Sequence, residues 1–285
     1  MDTTRKGKRA LQRLAARIPV GDGERGEPSS TQETTIPPSP TEPGSRVVAS
    51  GFFDQFPRFY ESSETATHAG RLNLRHEAMI EDNRDIFEGA RVLDIASHDG
   101  RWSFAALQAG AASVVGVEGR PELVDNANEN FEQYGVDPAR YRFVAGDLFH
   151  ALAEEPGEFD VVLCLGFLYH TLRYNELFAR IRQLNPKHLI IDTQVAQGEY
   201  LVIRLRVEDA AVQSNAIADE NSHEGRVLTG RPTVNALELM ASTYGFELER
   251  YSDWAGLLRD NTESAKHYEL YHSGGRVTAR FKSVT

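Results

Sequence analysis

Between Arg91 and Asp192 the chain alternates short apolar runs with longer amphipathic segments, and few architectures accept that rhythm. Val92–Ile95, Ser113–Val117, Tyr141–Val144, Asp160–Leu165 and His188–Asp192 read as strands. Between them, Trp102–Ala109, Pro121–Tyr134, Leu148–Glu154 and Tyr174–Leu184 read as helices, with Pro121 in a first turn and Asn185-Pro186 after a last one. The strands are apolar at almost every position rather than at every second one. That pattern belongs to a parallel sheet covered on both faces. It predicts a doubly wound α/β sheet whose ligand lies at the C-terminal ends of the first strands. No internal repeat competes with this reading.

After Asp192 the rhythm breaks. Residues 195–230 are long, polar and weakly periodic, as a substrate insert would be. Pro232–Tyr244 then reads as a helix closed by Gly245, followed by strands near Phe246–Tyr251 and Arg276–Phe281. A late helix and two terminal strands suit an antiparallel strand tucked into the sheet, giving seven strands in all. Ahead of the sheet, residues 1–45 read as a disordered arm, basic at first and then rich in Pro, Ser and Thr. Residues 46–90 read as a helical cap. It opens with GFFDQFPRFY (Gly51–Tyr60), too aromatic to stay exposed, and continues in a helix from His68 to Phe87 carrying Leu72, Met79 and Ile80.

A formal charge of −11 over 285 residues counts against a general nucleic-acid binder. No apolar run approaches the roughly 20 residues of a bilayer span. The single Cys164, inside the run VVLCL, excludes an intramolecular disulfide framework and fits a reducing, cytoplasmic setting.

The turn after the first strand, VLDIASHDG (Val92–Gly100), places an acidic residue and small residues before a helix. With VVGVEGRPELVDNANEN, AGDLF and FDVVLCLGFLYH following in order, the chain from Val92 to Lys282 resembles the class I S-adenosylmethionine (SAM)-dependent methyltransferases. The resemblance implies a Rossmann-like methyltransferase fold, SAM as cofactor and the site residues that go with it. Asp94 would organise the loop and take the methionine amino group. Glu118 would accept from ribose hydroxyls, as acidic residues at this strand end do in dinucleotide folds. Asp147 and Leu148 would meet the adenine, although Asp147 also reads as a helix N-cap. Ala96 and His98 stand where the family carries its first two glycines, and Gly100 stands at the third. His98 must therefore point away from the cofactor or contact ligand itself.

GFLYH (Gly166–His170) is similar to a segment of enzymes that alkylate a tRNA wobble uridine oxygen, and would bridge cofactor and substrate. His170 is the favoured general base, with Tyr169 beside it, because an alcohol acceptor benefits from a base and His is the usual one. In the insert, ADENSHEGR offers Asp219, Glu220, His223 and Glu224. Asp192, Glu220 and His223 form a candidate set for a hard divalent ion such as magnesium. The reading is a SAM-dependent O-methyltransferase acting on a small-molecule or saccharide hydroxyl, with homodimerisation left open. A tRNA-modifying relative and a non-catalytic SAM-fold protein remain alternatives. A nicotinamide dehydrogenase is disfavoured, since no GxGxxG follows the first strand.

Overall fold

The computed structural model of the protein describes residues 48, 51–61, 69–154 and 157–284, so the expected arm of residues 1–45 lies outside them. Nine strands form among the described residues: β1 (Arg91–Ile95), β2 (Ser113–Glu118), β3 (Tyr141–Ala145), β4 (Val161–Leu165), β5 (His188–Gln194), β6 (Ile203–Asp209), β7 (Arg226–Pro232), β8 (Phe246–Tyr251) and β9 (Arg276–Ser283). Seven of them make one sheet in the order β3-β2-β1-β4-β5-β9-β8, with only β9 antiparallel to its neighbours. The order reverses between β1 and β4, and a ligand crevice opens where the flanking connections diverge. Val92, Leu93, Val161, Val162 and Leu163 are wholly buried, which is why these strands lack alternation.

Helices cover both faces: α1 (Ala69–Met79), α2 (Arg101–Gln108), α3 (Pro121–Gln133), α4 (Leu148–Glu154), α5 (Tyr174–Gln183), α6 (Val234–Thr243) and α7 (Trp254–Asp260). One face is an aromatic layer. Phe53 and Phe59, from the segment before α1, are fully buried there. Phe53 meets Trp102 edge-on at 5.7 Å, and Phe59 meets Phe104 at 5.3 Å. The aromatic cap thus packs as part of the core.

Two expectations need correction. The helix expected from His68 to Phe87 ends at Met79 and resumes as a tighter 3-10 turn, Glu81–Ile86. The Asn83 amide donates to the carbonyls of Met79 (3.0 Å) and Ala78 (3.4 Å), satisfying helix-end acceptors and closing α1. The insert is not unpatterned either. β6 and β7 pair as a separate antiparallel ribbon, with Ile203, Leu205 and Val207 alternating with Arg204, Arg206 and Glu208. Its apolar members on β6 stay 38–59% exposed, while Val227 and Thr229 of β7 are buried, so the ribbon packs through its other face.

Candidate active site

A cavity of about 1320 Å³ opens at the C-terminal ends of β1, β2 and β4. Its floor is the turn after β1, where Ala96, His98 and Gly100 all hold positive φ, at 55°, 53° and 79°. The loop therefore keeps a glycine-type backbone with two glycines replaced, at about 1–2 kcal/mol for each non-glycine residue in this region. Only at the third position is glycine unavoidable. A Cβ on Gly100 would fall 2.8 Å from Phe143 and 2.9 Å from Phe131. The turn is tied to β2 by the Ser97 N–H donating to the Val117 carbonyl at 3.0 Å.

The backbone that His98 twists is put to use. Its N–H donates to Glu118 Oε2 at 3.0 Å, while the Arg120 N–H donates to Oε1 at 3.0 Å. Both carboxylate oxygens are thereby aimed, at the end of β2 and on the cavity wall. The His98 ring also lines the cavity, with Nδ1 3.1 Å from Arg101 Nη2. Beneath it lies a pair that sequence reasoning missed. Buried Asp99 is clasped by Arg101, whose Nε and Nη2 donate at 2.6 and 2.7 Å. Burial opposes ionisation of Asp99, but Arg101 and His98 outweigh it and hold the carboxyl below the usual range.

Asp94 is 1% exposed and sits behind the cavity wall. Ser103 Oγ donates to its Oδ2 at 2.7 Å, but Oδ1 has no partner. Burial, with Glu118 and Asp99 nearby, pushes this carboxyl up to about 7 despite the Ser103 bonds. An orphaned buried acceptor of this kind fits a donor brought by a ligand. Asp147 fills the N-cap role, accepting from the His150 N–H at 2.9 Å, and still lines the cavity with Leu148. Between these acidic groups, Ile217 of the insert lies over Gly119, where a Cβ would meet its Cδ1 at 2.3 Å. Arg120 Nη2 donates to the Asn215 carbonyl at 3.0 Å and holds the insert there.

On the opposite wall, the turn after β4 carries Gly166, Tyr169 and His170. His170 Nδ1 lies 2.7 Å from Glu208 Oε2, and that oxygen also accepts from the Ala216 N–H at 2.8 Å. Burial resists the charge on Glu208, yet the His170 contact and the Ala216 N–H hold its carboxyl below the usual range. Glu208 was not foreseen. Its signal was the period-two pattern IRLRVED, which places it on the polar face of the ribbon. The Tyr169 hydroxyl accepts from Arg276 Nη1 at 3.3 Å, and its ring lies 4.1 Å from that of His170.

The expected metal set does not assemble. Asp192 is fully buried and spent on other partners: Arg276, Arg75 (3.3 Å), Tyr271 (2.8 Å) and Thr278 (2.7 Å). The register of β5 with β9, Asp192 against Thr278, brings these groups to it. Glu220 pairs with Arg173 at 3.3 Å, and the His223 side chain is 89% exposed beside Glu224. Among the described residues, no group of three or more His, Cys, Asp or Glu could hold a metal ion.

Residues 92–186 match a family described as "Methyltransferase domain". That match covers about a third of the chain, and the seven-stranded sheet around it has the Rossmann-like methyltransferase fold. The chain is 38% identical over 156 residues to the 23S rRNA (uracil(1939)-C(5))-methyltransferase RlmD of Shewanella amazonensis, covering 51% of this chain and 34% of that protein. It is 39% identical over 92 residues to a putative ribosomal RNA large subunit methyltransferase of Methanocaldococcus jannaschii, covering 31% and 24%. The chain thus spans about a third or less of these relatives' lengths. The N-terminal domain of EvdMO1, solved with SAH and D-fucose, shares the fold at TM-score 0.52, with 17% identity over 72% of this chain and 81% of that one. The DhpI–SAH complex does so at 0.51, with 17% identity over 82% and 97%. Residues of the chain itself fit SAM: a backbone-aimed carboxylate at Glu118, an orphaned acceptor at Asp94 and left-handed backbone at Ala96, His98 and Gly100.

Proposed function

We propose that the protein methylates a hydroxyl oxygen of a small molecule or saccharide, with His170 as general base. The observation that carries this reading is the 2.7 Å contact of His170 Nδ1 with Glu208, on the cavity wall at the end of β4. Bound SAM would supply a methyl group already activated on a sulfonium. Glu118 would hold the ribose, Asp147 and Leu148 the adenine, and Asp94 with the Ala96–His98–Gly100 loop and Gly166 the methionine end. Glu208 keeps the proton of the imidazole on Nδ1, which leaves Nε2 basic for the acceptor hydroxyl and stabilises the imidazolium once formed. Glu208 is thus a positioning residue. Tyr169, anchored by Arg276, borders the acceptor.

The saccharide preference draws support from the EvdMO1 domain, a fold neighbour studied with SAH and a sugar. A second reading, RNA as acceptor, draws on the names of the curated relatives. The charge of −11 weighs against it, because RNA binding needs a cationic track.

The test is transfer of labelled methyl from SAM to a panel of sugars, with bulk rRNA and tRNA alongside. His170→Ala is expected to lower kcat by about 10²–10⁴-fold, the usual size of general-base help, while SAH binding stays intact. Full turnover in that variant would remove His170 from the chemistry. Methylation of RNA but of no sugar would transfer the conclusion to the second reading.

A further inference from the structure

Three guanidinium groups, Arg71 and Arg75 from α1 and Arg276 from β9, line the cavity near the turn after β4. Arg71 and Arg75 are four residues apart, so both lie on one face of α1. Two of the three frame the space above Gly166. A Cβ there would lie 3.4 Å from Arg276 Nη2 and 3.8 Å from Arg75 Nη2. Flat rings back them, Trp102 under Arg75 and Tyr169 under Arg276, each 5.2 Å away.

The charges do not balance. One buried carboxylate, Asp192, serves both Arg276 and Arg75, and Tyr271 and Thr278 donate to it as well. Arg71 has no carboxylate partner among the described residues. The Nε atoms of Arg71 and Arg75 are buried without a hydrogen bond. Burial, then Arg75 and Arg276, lower the pKa of Arg71, which marks positive charge that the fold itself leaves uncompensated. Arginine does not escape by losing its proton. Glu61 also lines the cavity but is exposed and makes no ion pair among the described residues. Excess positive charge on guanidinium groups that line a cavity is what a carboxylate or phosphate would complete.

We infer that Arg71, Arg75 and Arg276 form an anion seat and that the acceptor carries a carboxylate or phosphate beside the hydroxyl to be methylated. The inference rests on the methyltransferase reading above. It narrows the acceptor to a class such as sugar acids, sugar phosphates or hydroxy acids. Tyr169 touches Arg276 on one side and His170 on the other, so the seat adjoins the base.

The experiment uses full-length protein saturated with SAH, at fixed ionic strength. Glucose, glucuronate, glucose 6-phosphate and inorganic phosphate are titrated separately by calorimetry, and SAH itself is titrated into the same preparations. At least one anionic probe is expected to bind tenfold or more tightly than glucose. Arg71→Gln is expected to reduce that preference to about twofold, Arg71→Lys to retain part of it, and neither to change SAH affinity more than twofold. No anionic preference in wild type, or a preference unchanged in Arg71→Gln, overturns the seat while leaving the methyltransferase reading standing. A large loss of SAH affinity in Arg71→Gln also overturns it, by assigning the arginine to the cofactor's own carboxylate. Failure of wild type to bind SAH sinks both readings.

Discussion

Asp94 and Asp99, five residues apart and both buried, have opposite fates, and the difference is their partners. Asp99 faces Arg101 and stays ionised, whereas Asp94 meets only the uncharged donors of Ser103 and is pushed up to about 7. For Asp94 the folded state binds a proton more tightly than the unfolded state. Its unfavourable contribution is therefore absent below about pH 4, grows as pH rises toward 7, and is constant above that. Asp94→Asn is expected to raise the Tm of ligand-free protein at pH 8, by roughly 2–4 °C per kcal/mol recovered, and to leave it unchanged near pH 4. The same substitution should weaken SAH binding, which calorimetry at pH 8 checks. Asp99→Asn should do the opposite to stability. It leaves the Arg101 guanidinium without its buried carboxylate, a loss of about 3–5 kcal/mol for a broken buried pair, visible as a lower denaturation midpoint. None of this could be read from VLDIASHDG alone. The letters showed which glycines were replaced, but not that Ala96 and His98 would hold the glycine conformation regardless.

At the scale of elements, what was legible followed burial. β1, β4 and β5 read clearly because both their faces are covered, and β9 with β8 read from terminal runs and a preceding helix. The β6–β7 ribbon was opaque for the complementary reason: its apolar face stays exposed, and its arginines and acids resemble a solvated loop. Yet this element delivers Glu208 to His170 from 38 residues away. Glu208→Gln is expected to reduce kcat by about tenfold or more, within the range of general-base effects, with little change in KM. A variant that merely loosened the ribbon would raise KM as well, so the split between the two parameters decides the role. Asp192 was misread in the same way. An acid at a strand end looks available until the antiparallel partner brings Arg276 and Thr278 against it.

For the molecule as a whole, the expected metal set does not come together among the described residues, where arginines hold Asp192 and Glu220. Turnover is expected to persist unchanged after EDTA treatment and gel filtration, which an activity assay would show directly. Among the described residues no helix is long and apolar enough to cross a membrane. Although the chain is acidic overall, Arg71, Arg75 and Arg276 stand together along one wall of the cavity. The insert connects the two halves of that cavity. Ala216 holds Glu208, Asn215 holds Arg120, and Ile217 rests on Gly119, all within three consecutive residues. On the proposed function, a nucleoside held at Glu118 would lie beside the same short segment that holds Glu208 against His170. If that segment moves to release spent nucleoside, Glu208 would leave His170 with it, and catalysis and exchange would exclude one another in time. The expected outcome is an ordered scheme, with methylated product leaving first and SAH last, which product-inhibition kinetics would check.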